Sequence, residues 1–401
     1  MSEEIKVSII VPIHNGEKYL KQTLDCMVGQ TLKEIEILCV DDESTDGTAD
    51  IIKEYMEKDK RVFLFQNKKS NAGAARNYAM KRARGQYLLF WDGDDLYELD
   101  AAQLLYEQME KDSADICVCN ADHYDSKENI YIAKPQYLRK SYLPEEIPFS
   151  WKTNGKYIFN FTSQVAWNKM YRKEFVDAYN LTFQEIPRIN DHYFVSVSTV
   201  MAERITVLDK QLVHYRVNQN ENLTAHSSET PLCKYNVQCD IKQKLQELGI
   251  FEDAGVKQSF VNKAINTMIH GLNIQNDISG YRELYNCLKY QGLDMLELRN
   301  HGEDYFYNAL EYRNLQLIES LEYDAYLLQK GVDYRKNIEN KNVIIKEKNE
   351  IIKEKTNSVK EKDACIKNYQ KIEKELDKIK SGKWYKLGQK VLPLYYKLVR
   401  K

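Results

Sequence analysis

Aspartates are concentrated directly after two apolar segments that each have the length of a buried strand. Asp41 and Asp42 follow one segment, and residues 92–95, Asp-Gly-Asp-Asp, follow another. Carboxylate oxygens are the ligands that Mg²⁺ and Mn²⁺ prefer, and such an ion neutralises a diphosphate leaving group. An acidic turn that caps the helix starting near Glu98 is the alternative for a lone Asp-x-Asp.

A predicted α/β sheet brings these acidic turns to one edge. Apolar, β-branched segments alternate with helical segments, which is typical of parallel strands joined by right-handed crossovers. The predicted strands are 7–11, 35–40, 62–66, 87–91 and 116–120, and the predicted helices between the first four are 17–30, 48–58 and 72–84. Ligands of such sheets lie beyond the carboxyl ends of the strands. The polar segment 120–160 is expected to be an irregular insertion over the sheet.

A third polar loop follows the first strand and contains Pro12, His14 and Asn15. His14 either stacks on a nucleobase or has a structural role. Because three loops with polar residues converge on one edge, a ligand site is favoured over three unrelated turns.

Residues 5 to about 217 resemble the family-2 glycosyltransferases of the GT-A fold. The motifs that carry the resemblance are VSIIVPIHNGEKYL (7–20), VDDESTDGT (40–48), NAGAARNYAMKRARGQYLLFWDGDD (71–95), AWNKMYRKEF (166–175) and NDHYF (190–194). The resemblance implies a mixed, mainly parallel sheet flanked by helices. It also implies transfer of a sugar from a nucleoside diphosphate donor, with inversion at the anomeric carbon.

Roles for the donor-site residues follow from the same resemblance. Nucleotide-sugar binding is expected from Pro12, His14, Asn15, Glu17, Asp42, Arg76 and Asp92. Within this set Asp42 accepts the N3–H of the base, Arg76 reaches the diphosphate and Asp92 binds the ribose. Asp94 is expected to bind a divalent metal, Mg²⁺ or Mn²⁺.

The acceptor side is expected around Asp191, which matches the family's general base. Trp167, Asn168 and Lys169 resemble a family segment beside the acceptor, and His214, Tyr215 and Arg216 are candidates to close over the diphosphate. The sequence departs from the family at Glu43, where glycine is common, and at Asn190, where an acid often precedes the base. The first departure affects the uridine loop and the second affects the pKa of the base.

Composition limits the partners and the compartment. The 401 residues carry a net charge of −2, so no global basic field predicts a nucleic-acid partner. The eight cysteines lack the spacing of zinc or redox motifs and are expected to be reduced thiols. No signal peptide and no apolar run of about 18 residues is evident, so we expect a cytoplasmic protein, peripheral on the inner face of the cell membrane.

The C-terminal part is predicted to be helical. The expected divisions are a glycosyltransferase domain (1–230), a helical accessory region (231–333), a coiled coil or long helix (334–380) and a basic amphipathic tail (381–401). A seven-residue repeat over 344–378 predicts self-association through a heptad stalk, or a solvated single helix. The tail alternates basic and aromatic residues without an acid, which predicts binding to an anionic membrane or docking on the protein itself.

The predicted function is sugar transfer from a nucleotide-sugar, most simply a UDP-sugar, to a glycan or lipid-linked acceptor of a cell-surface polysaccharide. A dinucleotide-dependent dehydrogenase would need Gly-x-Gly-x-x-Gly after the first strand, where this chain has one glycine. A non-catalytic scaffold that tethers partners to a membrane is the other alternative. The presence of Asp42, Asp94 and Asp191 together argues against it.

Overall fold

The computed structural model describes residues 4–68, 71–217, 230–275 and 277–381. Within these ranges nine strands form one mixed sheet with the order β3-β2-β1-β4-β8-β6-β9-β5, and β7 pairs with β6. The strands are β1 (Val7–Ile13), β2 (Ile35–Asp41), β3 (Val62–Gln66), β4 (Tyr87–Phe90), β5 (Leu96–Tyr97), β6 (Ile116–Asp125), β7 (Ile130–Ala133), β8 (Lys169–Arg172) and β9 (Ile205–Val217).

Strands β3, β2, β1 and β4 are parallel to one another, as the alternating pattern predicts. Every residue of β1 and β2 is buried, because helices cover both faces of a parallel sheet. Val7 lies opposite Ile35 on one side and Tyr87 on the other, so these strands end at the same edge. The loops that follow them therefore meet there.

The other half of the sheet is mixed and differs from the sequence-based prediction. β6 continues to Asp125 and pairs with β7, so the irregular insertion does not begin at 120. The last residues of β6 are mostly polar, so the apolar pattern used to predict strands did not include them. Pairing with β9 and β7 provides hydrogen bonds for their backbone groups. The short β5 pairs with β9 and places Leu96 opposite His214.

Helices surround the sheet and continue beyond it. They are α1 (Leu20–Val28), α2 (Thr48–Lys58), α3 (Ala72–Met80), α4 (Ala101–Asp112), α5 (Trp151–Asn154), α6 (Lys173–Ala178), α7 (Asp191–Met201), α8 (Cys233–Glu247), α9 (Ala254–Asn273), α10 (Ile278–Cys287), α11 (Leu293–Met295), α12 (Ala309–Ser320) and α13 (Tyr323–Ser381). One compact unit spans Met1–Tyr323, and a second begins at Asp324. The division of the chain at 230, 333 and 380 stays a prediction.

The repeat at 344–378 lies within α13, a continuous helix of 59 residues. Ile345 and Ile366, two apolar positions of the repeat, are 54% and 53% exposed. Self-association through this helix stays a prediction, and residues 382–401 of the basic tail lie outside the described residues. No helix in the described part of the chain combines the length and apolar character needed to cross a bilayer.

Candidate active site

Hydrogen bonds join the loop after β1 to the loop after β2. His14 Nδ1 donates to the carbonyl oxygen of Asp42 at 2.6 Å, and the backbone N–H of Asn15 donates to Ser44 Oγ at 2.9 Å. The Asn15 side chain in turn accepts from the N–H of Thr45. Pro12 was predicted to lie in this loop, but β1 continues to Ile13, so Pro12 is buried within the strand opposite Val40. The predicted nucleotide loop is therefore held in place by its own backbone and side-chain contacts.

Glu17 joins this loop to the start of α2. Its Oε2 accepts from the N–H of Gly47 at 3.0 Å, and its own N–H donates to Asp46. Asp46 also accepts from the N–H and hydroxyl of Thr48, the first residue of α2. The carboxylate of Glu17 thus has a structural contact, and its contact with a nucleotide stays a prediction.

Asp42 is a buried carboxylate at the end of β2. Its Oδ1 accepts from Asn67 Nδ2 at 2.7 Å, and burial raises the pKa of Asp42. Asn67 was not predicted, although it follows β3 at the same edge, where the strand-end rule would have found it. Glu43 has φ of 62°, a left-handed conformation that favours glycine. That conformation explains why the family commonly has glycine there.

Arg76 connects three elements of the site. Its Nη2 donates to Asp92 Oδ1 and its Nη1 donates to Asn190 Oδ1, both at 2.7 Å. The guanidinium also lies over the Phe183 ring. Asn190, the other departure from the family pattern, therefore accepts from Arg76 directly before the predicted base. Contact of Arg76 with a diphosphate stays a prediction.

The turn between β4 and β5 contains three aspartates, Asp92, Asp94 and Asp95. Asp95 is fully buried, and its Oδ1 accepts from the N–H of Arg216 at 2.8 Å. Burial raises the pKa of Asp95, and the nearby charges of Asp94 and Asp92 raise it further. The Arg216 guanidinium donates to the carbonyl oxygen of Asp94 and lies over the Tyr19 ring. The structure thus brings Arg216 to the predicted metal-binding turn.

His214 and Tyr215 lie beside this turn on β9. The His214 ring nitrogens are 2.7 Å from Asp122 Oδ1 and 3.1 Å from Glu98 Oε1. Tyr215 is parallel to Trp167, with ring centroids 5.8 Å apart. Asp122 was missed because β6 was predicted to end at 120, and Glu98 was predicted only as the start of a helix. Closure of this segment over a diphosphate stays a prediction.

The segment 167–169 is buried beneath the site. Asn168 Nδ2 donates to the carbonyl oxygen of Cys119 at 2.8 Å, and Lys169 Nζ donates to the carbonyl oxygens of Ser163 and Val165. Burial lowers the pKa of Lys169 to about 7. These contacts are within the protein, and contact with an acceptor stays a prediction.

Asp191 is the first residue of α7 and is partly exposed. Burial raises the pKa of Asp191 to about 6, while the positive charges of Arg76 and Lys169 oppose the rise. A carboxylate with this pKa is ionised at neutral pH and is a stronger base than an ordinary aspartate. The structure therefore places Asp191 next to the Arg76–Asp92 pair, and its role as the base stays a prediction.

The fit to a divalent metal depends on the acidic turn. Among the described residues, no group of three or more His, Cys, Asp or Glu side chains forms a candidate metal site. Mg²⁺ is commonly held by one or two carboxylates together with substrate phosphates and water. Asp94 is partly exposed and its charge raises the pKa of Asp95 by repulsion, so its carboxylate fits such a metal. Asp92 instead accepts from Arg76, and its predicted contact with the ribose stays a prediction.

The mixed sheet, with polar loops after β1 and β2 at one edge and an acidic turn after β4, has the arrangement of an α/β fold of the GT-A type. Residues 8–179 match the family described as Glycosyl transferase family 2. Residues 8–179, somewhat less than half of the chain, are therefore similar to the glycosyltransferase domain of that family.

Relatives and solved structures agree with this assignment. The chain is 30% identical over 217 residues to Glycosyltransferase GlyA of Streptococcus pneumoniae, which covers 53% of this chain and 31% of GlyA. It is 32% identical over 220 residues to the uncharacterized glycosyltransferase EpsJ of Bacillus subtilis, covering 53% of this chain and 62% of EpsJ. The chain thus spans less than two thirds of either relative.

A similar fold is seen in residues 1–349 of S. aureus TarS in complex with UDP-GlcNAc. The TM-score is 0.58 at 19% identity, and the match covers 77% of this chain and 90% of that one. The matched part of the chain is longer than residues 8–179, so the similarity in fold extends beyond the segment that matches the family.

Gly73 allows the close approach of α3 to the segment before Asp191. A Cβ at this position would lie 2.1 Å from the carbonyl oxygen of Gln184. We expect Gly73→Ala to lower the unfolding free energy by about 1–3 kcal/mol. Chemical denaturation measures this. The matched control is Gly331→Ala in α13, where a Cβ meets nothing within 4 Å, and an equal loss in both variants would contradict the steric explanation.

Proposed function

We propose that the chain is an inverting, metal-dependent glycosyltransferase that moves a sugar from a UDP-sugar to a glycan or lipid-linked acceptor of a cell-surface polysaccharide. The observation that carries the proposal is Asp191, a carboxylate with its pKa raised to about 6, beside the Arg76–Asp92 pair at the edge of the sheet. The UDP-GlcNAc complex of the TarS fragment supports the choice of donor.

In the proposed reaction Asp191 accepts the proton of the acceptor hydroxyl. The acceptor oxygen forms a bond to the anomeric carbon while the bond from that carbon to the diphosphate oxygen breaks. Attack from the face opposite the leaving group inverts the anomeric configuration. Asp94 would hold Mg²⁺ or Mn²⁺, which supplies positive charge to the leaving diphosphate when bound. Asp92 would bind the ribose. Asp42 would accept a hydrogen bond from the base.

A donor panel tests this proposal. UDP-, GDP- and dTDP-sugars are incubated with the protein and Mg²⁺, Mn²⁺ or EDTA, and release of nucleoside diphosphate is measured. We expect release from UDP-sugars in the presence of a metal and none in EDTA. Absence of both donor binding and release would favour the non-catalytic scaffold.

The pH dependence of turnover reports on the base. Because Asp191 must be ionised to accept a proton, kcat should fall tenfold per pH unit below its pKa of about 6 and level off above it. Arg76 lowers the pKa of Asp191, so Arg76→Gln should move the midpoint of the profile to higher pH. The measurement is kcat from pH 5 to 8.5. An unmoved midpoint would show that another group controls the profile.

The tail is proposed to bind the inner face of the membrane. It carries Lys383, Lys386, Lys390, Lys397, Arg400 and Lys401, interleaved with aromatic residues. Each basic residue adds about 1 kcal/mol near an anionic surface, less with incomplete contact. Deleting 381–401 should release the protein from anionic vesicles in a sedimentation assay. Neutral vesicles are the control, and a truncated protein that still sediments at low salt would contradict the proposal.

A further inference from the structure

A buried segment without regular secondary structure, residues 159–165, lies between helix α9 and the predicted acceptor side, and we call it the bridging segment. Most of its residues are buried. Buried backbone N–H and C=O groups need hydrogen-bond partners, and no helix or strand supplies them within this segment. Neighbouring elements therefore have to supply part of these partners.

Helix α9 supplies partners on one side of the bridging segment. Ser259 Oγ accepts from the backbone N–H of Phe159 at 2.9 Å, and Oγ and the carbonyl oxygen of Ser259 both accept from Asn160 Nδ2. Lys263, one turn later on the same face of α9, donates to the carbonyl oxygen of Thr162 at 3.2 Å. Ser259 is fully buried and Lys263 is 8% exposed, so water does not compete for these contacts.

On its other side the bridging segment contacts Lys169 and helix α7. Lys169 Nζ donates to two backbone carbonyl oxygens of the segment, at 2.9 and 2.8 Å. Gln164 Nε2 donates to Ser196 Oγ at 2.6 Å, and both side chains are buried. Ser196 lies on α7, the helix that begins with Asp191. The bridging segment is therefore hydrogen-bonded both to α9 and to the helix that carries Asp191.

Two buried lysines hold the bridging segment from opposite sides. Burial lowers the pKa of Lys169 and that of Lys263 to about 7. The charge of Lys263 lowers the pKa of Lys169 further, so the two ammonium groups repel each other, while Glu311 opposes the shift at Lys263. Burial and repulsion both disfavour the charged forms, so these side chains cost stability that apolar ones would not. What they supply instead is hydrogen bonds that fix the backbone of the segment.

We propose that α9 positions the base through the bridging segment, with Ser259 and Lys263 as the positioning residues. This proposal rests on the proposed function, because it takes Asp191 as the base. Helix α9 then belongs to the catalytic part of the chain, although it lies outside residues 8–179, which match the family. A displacement of about 1 Å at a reacting group costs up to about 100-fold in rate. Loss of these hydrogen bonds should therefore lower kcat and leave the donor site intact.

The test compares the full chain with its Ser259→Ala and Lys263→Met variants. The first removes the hydroxyl that accepts from Phe159, and the second keeps an apolar stem but removes the donor to Thr162. The probe is the UDP-sugar released fastest in the donor panel, with water as the acceptor. Turnover is expressed per UDP-binding site counted by calorimetry, so unfolded protein does not lower it. We expect kcat to fall about tenfold or more in both variants, with donor KM and UDP affinity within about twofold of wild type.

The matched control is Thr267→Val, which removes a buried hydroxyl from the same helix. That hydroxyl donates to the carbonyl oxygen of Lys263 within α9 and does not contact the bridging segment. The control should keep the wild-type kcat even where it is less stable. If Lys263→Met does not fold, Ser259→Ala alone decides, and a fall of kcat in only one variant assigns the positioning to that residue.

Unchanged kcat in both variants, a parallel loss of UDP affinity, or an equal fall of kcat in the control overturns this proposal alone. Absence of UDP binding and release by the wild type counts against the proposed function. Hydrogen exchange over residues 194–201 of α7 then decides the positioning, because a helix released by the bridging segment should exchange faster. Exchange in Ser259→Ala that is no faster than in Thr267→Val overturns it.

Discussion

Asp191→Asn should reduce sugar transfer by about 10²–10⁴-fold while donor binding is retained, because the amide has the size of the carboxylate but cannot accept the proton. Its pKa of about 6 shows that burial disfavours the ionised form of Asp191 in the folded protein. Removing that charge should therefore not lower stability above pH 6. Transfer kinetics, UDP calorimetry and thermal unfolding measure the three expectations.

The control for this substitution is Asp50→Asn on α2, whose side chain is 85% exposed. It should leave transfer unchanged. If Asp191→Asn instead loses UDP binding with transfer falling in proportion, Asp191 positions the donor site and is not the base.

Asp94→Asn should reduce turnover by about 100-fold or more, because the metal contributes several kcal/mol of charge stabilisation to the leaving diphosphate. The apparent affinity for Mn²⁺ should weaken in parallel. Asp94 is partly exposed, and its charge raises the pKa of the buried Asp95 through repulsion. Loss of the charge should therefore change the unfolding free energy little.

Metal titrations of nucleoside diphosphate release measure this effect. Asp100→Asn is the matched control, since Asp100 precedes α4, is exposed, and makes no side-chain capping bond. Turnover of Asp94→Asn at the wild-type rate in limiting Mn²⁺ would exclude Asp94 as the metal ligand. Equal losses in both aspartate variants would indicate a general electrostatic effect.

Local patterns in the sequence were sufficient to predict the strands of the parallel half of the sheet. Strands β1 to β4 are short apolar segments that end at polar turns, and both features depend on residues close together in the chain. The edge at which Asp42 and Asp94 lie follows from the parallel order alone. The class of protein was predictable for the same reason, since its motifs are short and contiguous.

Tertiary structure decided the partners of these residues, because those contacts join positions far apart in the chain. Asn67 donates to Asp42, and Arg76 reaches Asn190, 114 positions away. The strand character of 121–125 depends on pairing with β7 and β9, which a polar segment does not reveal. The raised pKa of Asp191 is likewise a result of burial by distant segments, and burial cannot be read from an aspartate at a helix start.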